Sequence, residues 1–216
     1  PLAGMALVFT CTVTGVRRGT TTVTVVGESK GPKACTSSAD CGREGRCTTD
    51  DGVCDPPAGC SPEFPCPQVC TGTCVPTFVA HRVGDGAAAL GSGSTAVFLE
   101  EYTFDGKLLL VANNPLAMPS AAAKDNLTNS GSATSEGGIS RSLDGKFIVV
   151  PGYDSKAGVA TIANTANDGT VAAVNRAIGR VDRAYNINTT TKLTKAFTGS
   201  SGTAGNIRGA CTSDGT

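Results

Sequence analysis

"SLDGKFIVVPGYD" (142–154) is the stretch that sorts this chain into a structural class. Asp144-Gly145 is turn chemistry, because both residue types tolerate the backbone of a tight reversal. Phe147 to Val150 is then an unbroken apolar run rich in β-branched side chains. A run that short, fed by a turn, reads as a buried strand. "YTFDGKLLLVANN" (102–114) repeats the plan, with Asp105 and Asp144 39 residues apart. "TSDGT" (212–216) offers a third turn and "NDGT" (167–170) a partial fourth.

The composition agrees. Glycine and threonine each occur 28 times, aromatic residues make up 5%, and tryptophan is absent among 216 residues. Threonine and valine favour strands and glycine marks turns. Few long stretches show helical apolar spacing. The predicted class is all-β: a sandwich-type β-hairpin (1–34), a disulfide-rich spacer (35–78), and propeller-like antiparallel β repeats (79–216). A repeat near 40 residues suits propeller blades, and this length holds about two or three of the four or more a closed propeller needs.

Lys+Arg and Asp+Glu both count 18, so the net charge is zero, which argues against a nucleic-acid partner. The first 34 residues carry four basic and one acidic side chain, and residues 35–74 carry two basic and six acidic. No apolar run reaches the length of a membrane span, so none is predicted. "PLAGMALVF" lacks the basic start of a signal peptide, and Pro1 is not an initiator residue. A processed chain, or part of a longer one, is expected.

"MALVFTCTVTG" alternates, placing Leu7, Phe9, Cys11 and Val13 on one face. "VRRG" turns the chain, and "TTTVTVVGE" returns with Val23 and Val25 on one face. That is a hairpin signal. A lone hairpin is marginal in water, so it needs a partner sheet. The pattern resembles the last two strands of a bacterial immunoglobulin-like or cohesin-like sandwich.

Between the two β segments lie Cys35, Cys41, Cys47, Cys54, Cys60, Cys66, Cys70 and Cys74, mostly with five residues between neighbours. Zinc sites use pairs two to four residues apart, often with histidine. Only Cys66, Cys70 and Cys74 come close, and the sole histidine, His81, lies outside. A disulfide framework suits a loop-rich segment with little to bury, and it requires an oxidising compartment. Each bridge would add about 2–4 kcal/mol by restricting the unfolded chain. Eight cysteines allow 105 pairings, so connectivity stays open. Cys11 and Cys211 complete an even ten. The run resembles the cysteine-rich spacers of secreted bacterial surface proteins, which implies a stiff connector.

"HRVGDGAAAL", "AVFLEEYTFDG", "SGSATSEGGISRSLDGKFIVVPGYD", "AIGRVD" and "GNIRGACTSDGT" together resemble a family of uncharacterised secreted bacterial β-propeller-like proteins. The resemblance covers about residues 81–216 and implies an extracellular β domain without a transferable activity.

Reactive constellations are few. A histidine-based triad has only His81 to use, and a packed or solvated role suits it better. "GSGSTA" (91–96) mimics a dinucleotide fingerprint but precedes a strand, so it reads as a loop. Glu100 and Glu101 are adjacent on a strand and face opposite sides, one expected buried and hydrogen-bonded, the other exposed. Calcium enters through two incomplete loops. Asp125, Asn129 and Glu136 fall at EF-hand positions one, five and twelve, with Leu127 at three. Asn164, Asp168, Gly169 and Asn175 fall at one, five, six and twelve of the second, with Ala166 at three. Both read as polar loops unless a cation is held there. Asn126 and Asn188 head N-x-T sequons.

The sequence thus predicts a non-enzymatic extracellular or cell-surface protein with a structural or adhesive role. It needs no cofactor, calcium aside. Its expected partners are copies of itself, another extracellular protein, or a glycan. The alternatives are a ligand-binding propeller module for carbohydrate or protein, and a fragment of a secreted enzyme.

Overall fold

The computed structural model describes the backbone of residues 10–12, 22–24, 34–35, 46–47 and 72–75. It describes residues 77–104, 106–108, 114–165, 174–196 and 205–215 with their side chains. Every regular element among them is a strand except one 3-10 turn, Ile162–Asn164. The class is all-β, as the composition predicts. No helix among the described residues is long and apolar enough to cross a membrane.

Thirteen strands are described. β1 (Thr10–Thr12) and β2 (Thr22–Thr24) pair antiparallel, Cys11 opposite Val23, as the alternation predicts. β3 (Ala34–Cys35), β4 (Arg46–Cys47) and β5 (Gly72–Val75) make a small sheet with β5 in the middle. The remaining strands are β6 (Thr77–Val83), β7 (Ser94–Thr103), β8 (Leu116–Ala117), β9 (Thr128–Ser130), β10 (Ser140–Arg141), β11 (Phe147–Tyr153), β12 (Arg176–Asp182) and β13 (Ile187–Leu193). They form one open eight-stranded sheet in the order β13-β12-β11-β9-β7-β6, with β10 also on β11 and β8 also on β7.

The chain divides into two compact units, one of 1–8, 25–79 and 101–114, the other of 9–24, 80–100 and 115–216. In the first, Phe78 stacks on Tyr102 at 5.6 Å and meets Phe104 edge-on at 5.9 Å. Thr77 donates to Glu101 Oε1 at 2.6 Å, so Glu101 is the buried acid expected of the pair. In the second unit Glu100 is not freely exposed. It holds Arg82 at 2.7 Å, and Arg82 also lies over the Phe98 ring.

The opening stretch makes the centre of the second unit. β11 pairs with β12 through seven consecutive residues, Phe147 opposite Asp182 to Tyr153 opposite Arg176. Alternation places Val150, Gly152, Ala177, Gly179 and Val181 on one face. Leu127, fully buried, packs on this face where the glycines leave room. A Cβ at Gly152 would lie 2.8 Å from Leu127 Cγ, and one at Gly179 would lie 2.6 Å from Leu127 Cδ1. The other face buries Tyr153 against Ile162 and Ile207, with Ile178 and Leu193 beside them. A strand covered on both faces has no polar side to show, which explains the unbroken apolar run.

The turns at the two D-G-K repeats are both real but differ in length. Ser142 pairs with Phe147, and Gly145 N–H donates to Ser142 O. In the other turn Thr103 N–H donates to Lys107 O, one residue shorter, and Gly106 N–H donates to Thr103 O. Asp144 organises its turn by accepting from Ser142 Oγ at 2.7 Å and from Lys146 N–H at 3.1 Å. These bonds, the Ser142 hydroxyl first, hold the carboxyl down at about 2. An NMR titration of the Asp144 carboxyl should find that midpoint, and Ser142→Ala should move it up toward the ordinary carboxylate range.

The "TSDGT" turn lies alongside. Leu143 and Asp144 N–H donate to Thr212 O and Ser213 O, and Gly215 N–H donates to Thr212 Oγ1.

Candidate functional site

Two features of the second unit are candidates: a buried chain of polar side chains and an open sheet edge. The chain starts at His81 on β6, 5% exposed. Its Nε2 lies 2.9 Å from Asn129 Oδ1, and Asn129, on β9, is fully buried. The Asn129 amide nitrogen donates to Pro151 O at 3.2 Å and, at a long 3.5 Å, to Glu136 Oε2. Asn129 Oδ1 is therefore left to accept, and His81 carries its proton on Nε2. Gly137 has φ near +80° and backs the imidazole so closely that a Cβ there would sit 2.6 Å from Nδ1. No side chain fits at that position.

Glu136 sits at the middle. Oε1 accepts from Tyr153 OH at 2.5 Å, and Oε2 accepts from Ser130 N–H at 2.8 Å. Burial nonetheless pushes its carboxyl upward. Tyr153 is pushed upward too, first by burial and then by the Glu136 bond. Arg176 on β12 closes the chain, its guanidinium 4.8 Å over the Tyr153 ring. Its nitrogens donate to Val174 O at 2.9 Å, Gly205 O at 3.0 Å and Thr165 O at 3.1 Å. Burial lowers it, and the field of Tyr153 and Glu136 opposes that shift.

This arrangement fixes loops to strands. Burial draws the His81 imidazole down to about 4, so it is neutral near pH 7. Among the described residues its side-chain partner is an amide, which is neither a nucleophile nor an orienting carboxylate. Both oxygens of Glu136 are already hydrogen-bonded.

The structure separates the first set of calcium candidates. Asn129 and Glu136 meet in the polar chain, but Asp125 does not join them. Asp125 and Asp154 share the Lys192 ammonium at 3.5 and 3.2 Å, so a cation already lies between them. The stretch is also not simply a polar loop, because Thr128–Ser130 is the buried strand β9. Among the described residues no three His, Cys, Asp or Glu side chains cluster as metal ligands. Asp168 of the second loop lies outside the described residues, as does Asp105.

The Asn126 side chain is buried and spends its amide on Ala122 N and Ala122 O. In the folded chain that amide nitrogen donates to Ala122 O at 3.0 Å and the residue is 3% exposed. Asn188 sits on β13 and accepts from Thr190 N–H and Oγ1. Cys211 is exposed and its thiol is free. Of the other expected disulfide cysteines, Cys41, Cys54, Cys60, Cys66 and Cys70 lie outside the described residues, as do the side chains of Cys11, Cys35, Cys47 and Cys74.

The sheet edge is β13. It pairs with β12 through a bulge at Gly179, and Thr190 and Thr191 are exposed. No strand borders its outer side among the described residues.

Comparison with protein families, with curated proteins and with solved structures finds no match for this chain.

Proposed function

We propose that this chain is a non-catalytic module of an extracellular surface structure or adhesive layer, and that it joins neighbouring chains by strand pairing. The open edge of β13 carries the proposal. An edge strand offers outward backbone groups to a second strand, although on β13 Thr190 N–H is already bonded to Asn188 Oδ1 and Thr189 O to the Lys192 ammonium, so pairing would have to displace those two hydrogen bonds. The sequestered, neutral His81 supports the non-catalytic half. β10 to β13 run as four consecutive antiparallel strands, the strand order of a propeller blade, but they continue through β9 into the eight-stranded sheet, so what they support for residues 79–216 is a propeller-like order of strands and not a separate blade. Hydrogen exchange tests the association. The amides within 187–192 that do not face β12 should gain protection as protein concentration rises; equal rates in dilute and concentrated samples would sink the proposal.

The extracellular half rests on the cysteine run. Backbone register sets Cys47 directly opposite Cys74 on neighbouring antiparallel strands. Residues so placed have Cα atoms roughly 4.5–5.5 Å apart, within the span of a disulfide. Non-reducing peptide mapping of protein from an oxidising host should recover a Cys47–Cys74 cross-link. Alkylation of both as free thiols would remove the support for this compartment.

A further inference from the structure

The Lys192 ammonium, on β13, reaches two carboxylates that come from separate segments of the second unit. Asp154 Oδ2, just after β11, lies 3.2 Å away, and Asp125 Oδ1, just before β9, lies 3.5 Å away. Register brings them together. Lys192 stands opposite Ala177 on β12, and Ala177 stands opposite Gly152 on β11. Cross-strand neighbours share a face, so small residues line the path of the lysine stem from β13 toward β11. The side chains of Lys192 and Asp154 are 16% and 17% exposed, so the amine and the carboxyl meet largely away from water.

Each group is also held in a fixed attitude. Lys192 Nζ donates to Thr189 O at 2.7 Å. Asp154 Oδ1 accepts from Asn126 N–H at 2.9 Å, while Oδ2 faces the amine. Asp125 adopts a left-handed backbone, φ 61°, and its carbonyl accepts from Thr189 Oγ1 at 2.5 Å. A surface ion pair needs only one amine and one carboxylate in water. Here a backbone N–H also points at the far oxygen of the carboxyl, and a second carboxylate stands beside the same nitrogen.

From this arrangement we infer that Lys192 and Asp154 condense to an amide, a covalent cross-link between β13 and the end of β11. Lys192 passes one proton to Asp154 Oδ2. The neutral Nζ then attacks Asp154 Cγ, and negative charge collects on Oδ1, where the Asn126 N–H donates to it. Asp125 takes a second proton from Nζ and hands it to the hydroxyl at Oδ2. The Cγ–Oδ2 bond breaks and one water leaves. The third proton stays on the amide nitrogen. The positive and negative charges of the pair cancel, and no oxidant or co-reactant is consumed. Holding an amine and a carboxyl in place at contact distance can be worth an effective molarity of about 10⁵–10⁸ M.

The test is the intact mass of the full chain, folded by its dispersed amide spectrum and then reduced to open any disulfide. Wild type should be lighter than its sequence by the mass of one water. Trypsin should then yield a branched peptide that joins residues 147–156 to residues 184–195 and is uncut after Lys192. Lys192→Arg keeps the cation but offers no amine, so it should carry its full sequence mass. Asp125→Asn removes the proton carrier and leaves Lys192 and Asp154 in place, so most of the freshly made variant should also carry its full mass. The inference is overturned if folded wild type shows its full sequence mass, if the missing water persists in Lys192→Arg, or if the branch joins Lys192 to a residue other than Asp154. Asp125→Asn that condenses as fast as wild type would overturn the role of Asp125. The bond lies within one chain, so these outcomes leave the pairing of β13 between chains to its own test.

Discussion

Leu127→Ala should destabilise the protein by about 2–5 kcal/mol, the range for truncating a buried leucine. Leu127 has no solvent exposure and fills the space left by Gly152 and Gly179 on adjacent strands. Gly179→Ala should cost about 1–3 kcal/mol on its own, because the new methyl would meet Leu127 Cδ1 at 2.6 Å and Met118 Cε at 3.0 Å. Both obstacles are side chains, so the effects should not add. Truncating Leu127 removes the nearer clash, and the double variant should be more stable than the sum predicts by about 0.5–3 kcal/mol. Gly152→Ala should not be relieved in the same way, since its methyl also meets the backbone oxygen of Thr128 at 2.7 Å. Urea unfolding of wild type, the three single variants and the two double variants with Leu127→Ala measures all of this. Strict additivity for Leu127 and Gly179 would mean that the two strands do not share that contact.

Between pH 6.5 and 4, wild type should lose about 3 kcal/mol more stability than His81→Gln. In the folded chain His81 is held near 4, below its ordinary 6.5, mainly by burial. The unfolded chain therefore takes up the proton first as pH falls. The stabilising contribution of the neutral imidazole is complete above pH 6.5 and disappears as pH drops through 4. Glu136 works in the opposite sense. Its carboxyl is pushed above 4.5, so its contribution is complete below that value and declines as pH rises through the raised one. Glu136→Gln should remove that decline and leave the His81 slope clean. Identical slopes for wild type and His81→Gln would place the imidazole in solvent.

Patterns that depend on neighbours in sequence were legible from the start. The D-G-K turn and apolar run gave β11, and period-two alternation gave the pairing of β1 with β2. The strand β9 was not legible. Thr128, Asn129 and Ser130 are all polar, and they are buried because distant groups satisfy them. Thr128 Oγ1 reaches Tyr153 O at 3.4 Å and Ser155 O at 3.3 Å. Nothing within the strand announces partners that lie more than twenty residues away. The same holds for the polar chain. Asn129 and Glu136 stood out in the sequence as oxygen ligands at loop spacing, but they meet as hydrogen-bond partners while Asp125 goes to Lys192. Tyr153 and Arg176 drew no notice, since a tyrosine or arginine at the end of an apolar strand is ordinary. Only the register of β11 against β12 sets them side by side.

The claim that most needs testing is association through β13. Light scattering should be run across a hundredfold range of concentration on wild type and on Thr191→Lys. Thr191 is exposed on the edge strand, so lysine there should leave the fold intact, within about 0.5 kcal/mol, while discouraging edge pairing. The wild-type mass should grow with concentration and the variant should stay monomeric. A wild-type chain that remains a monomer throughout, or a variant that assembles equally well, would contradict it.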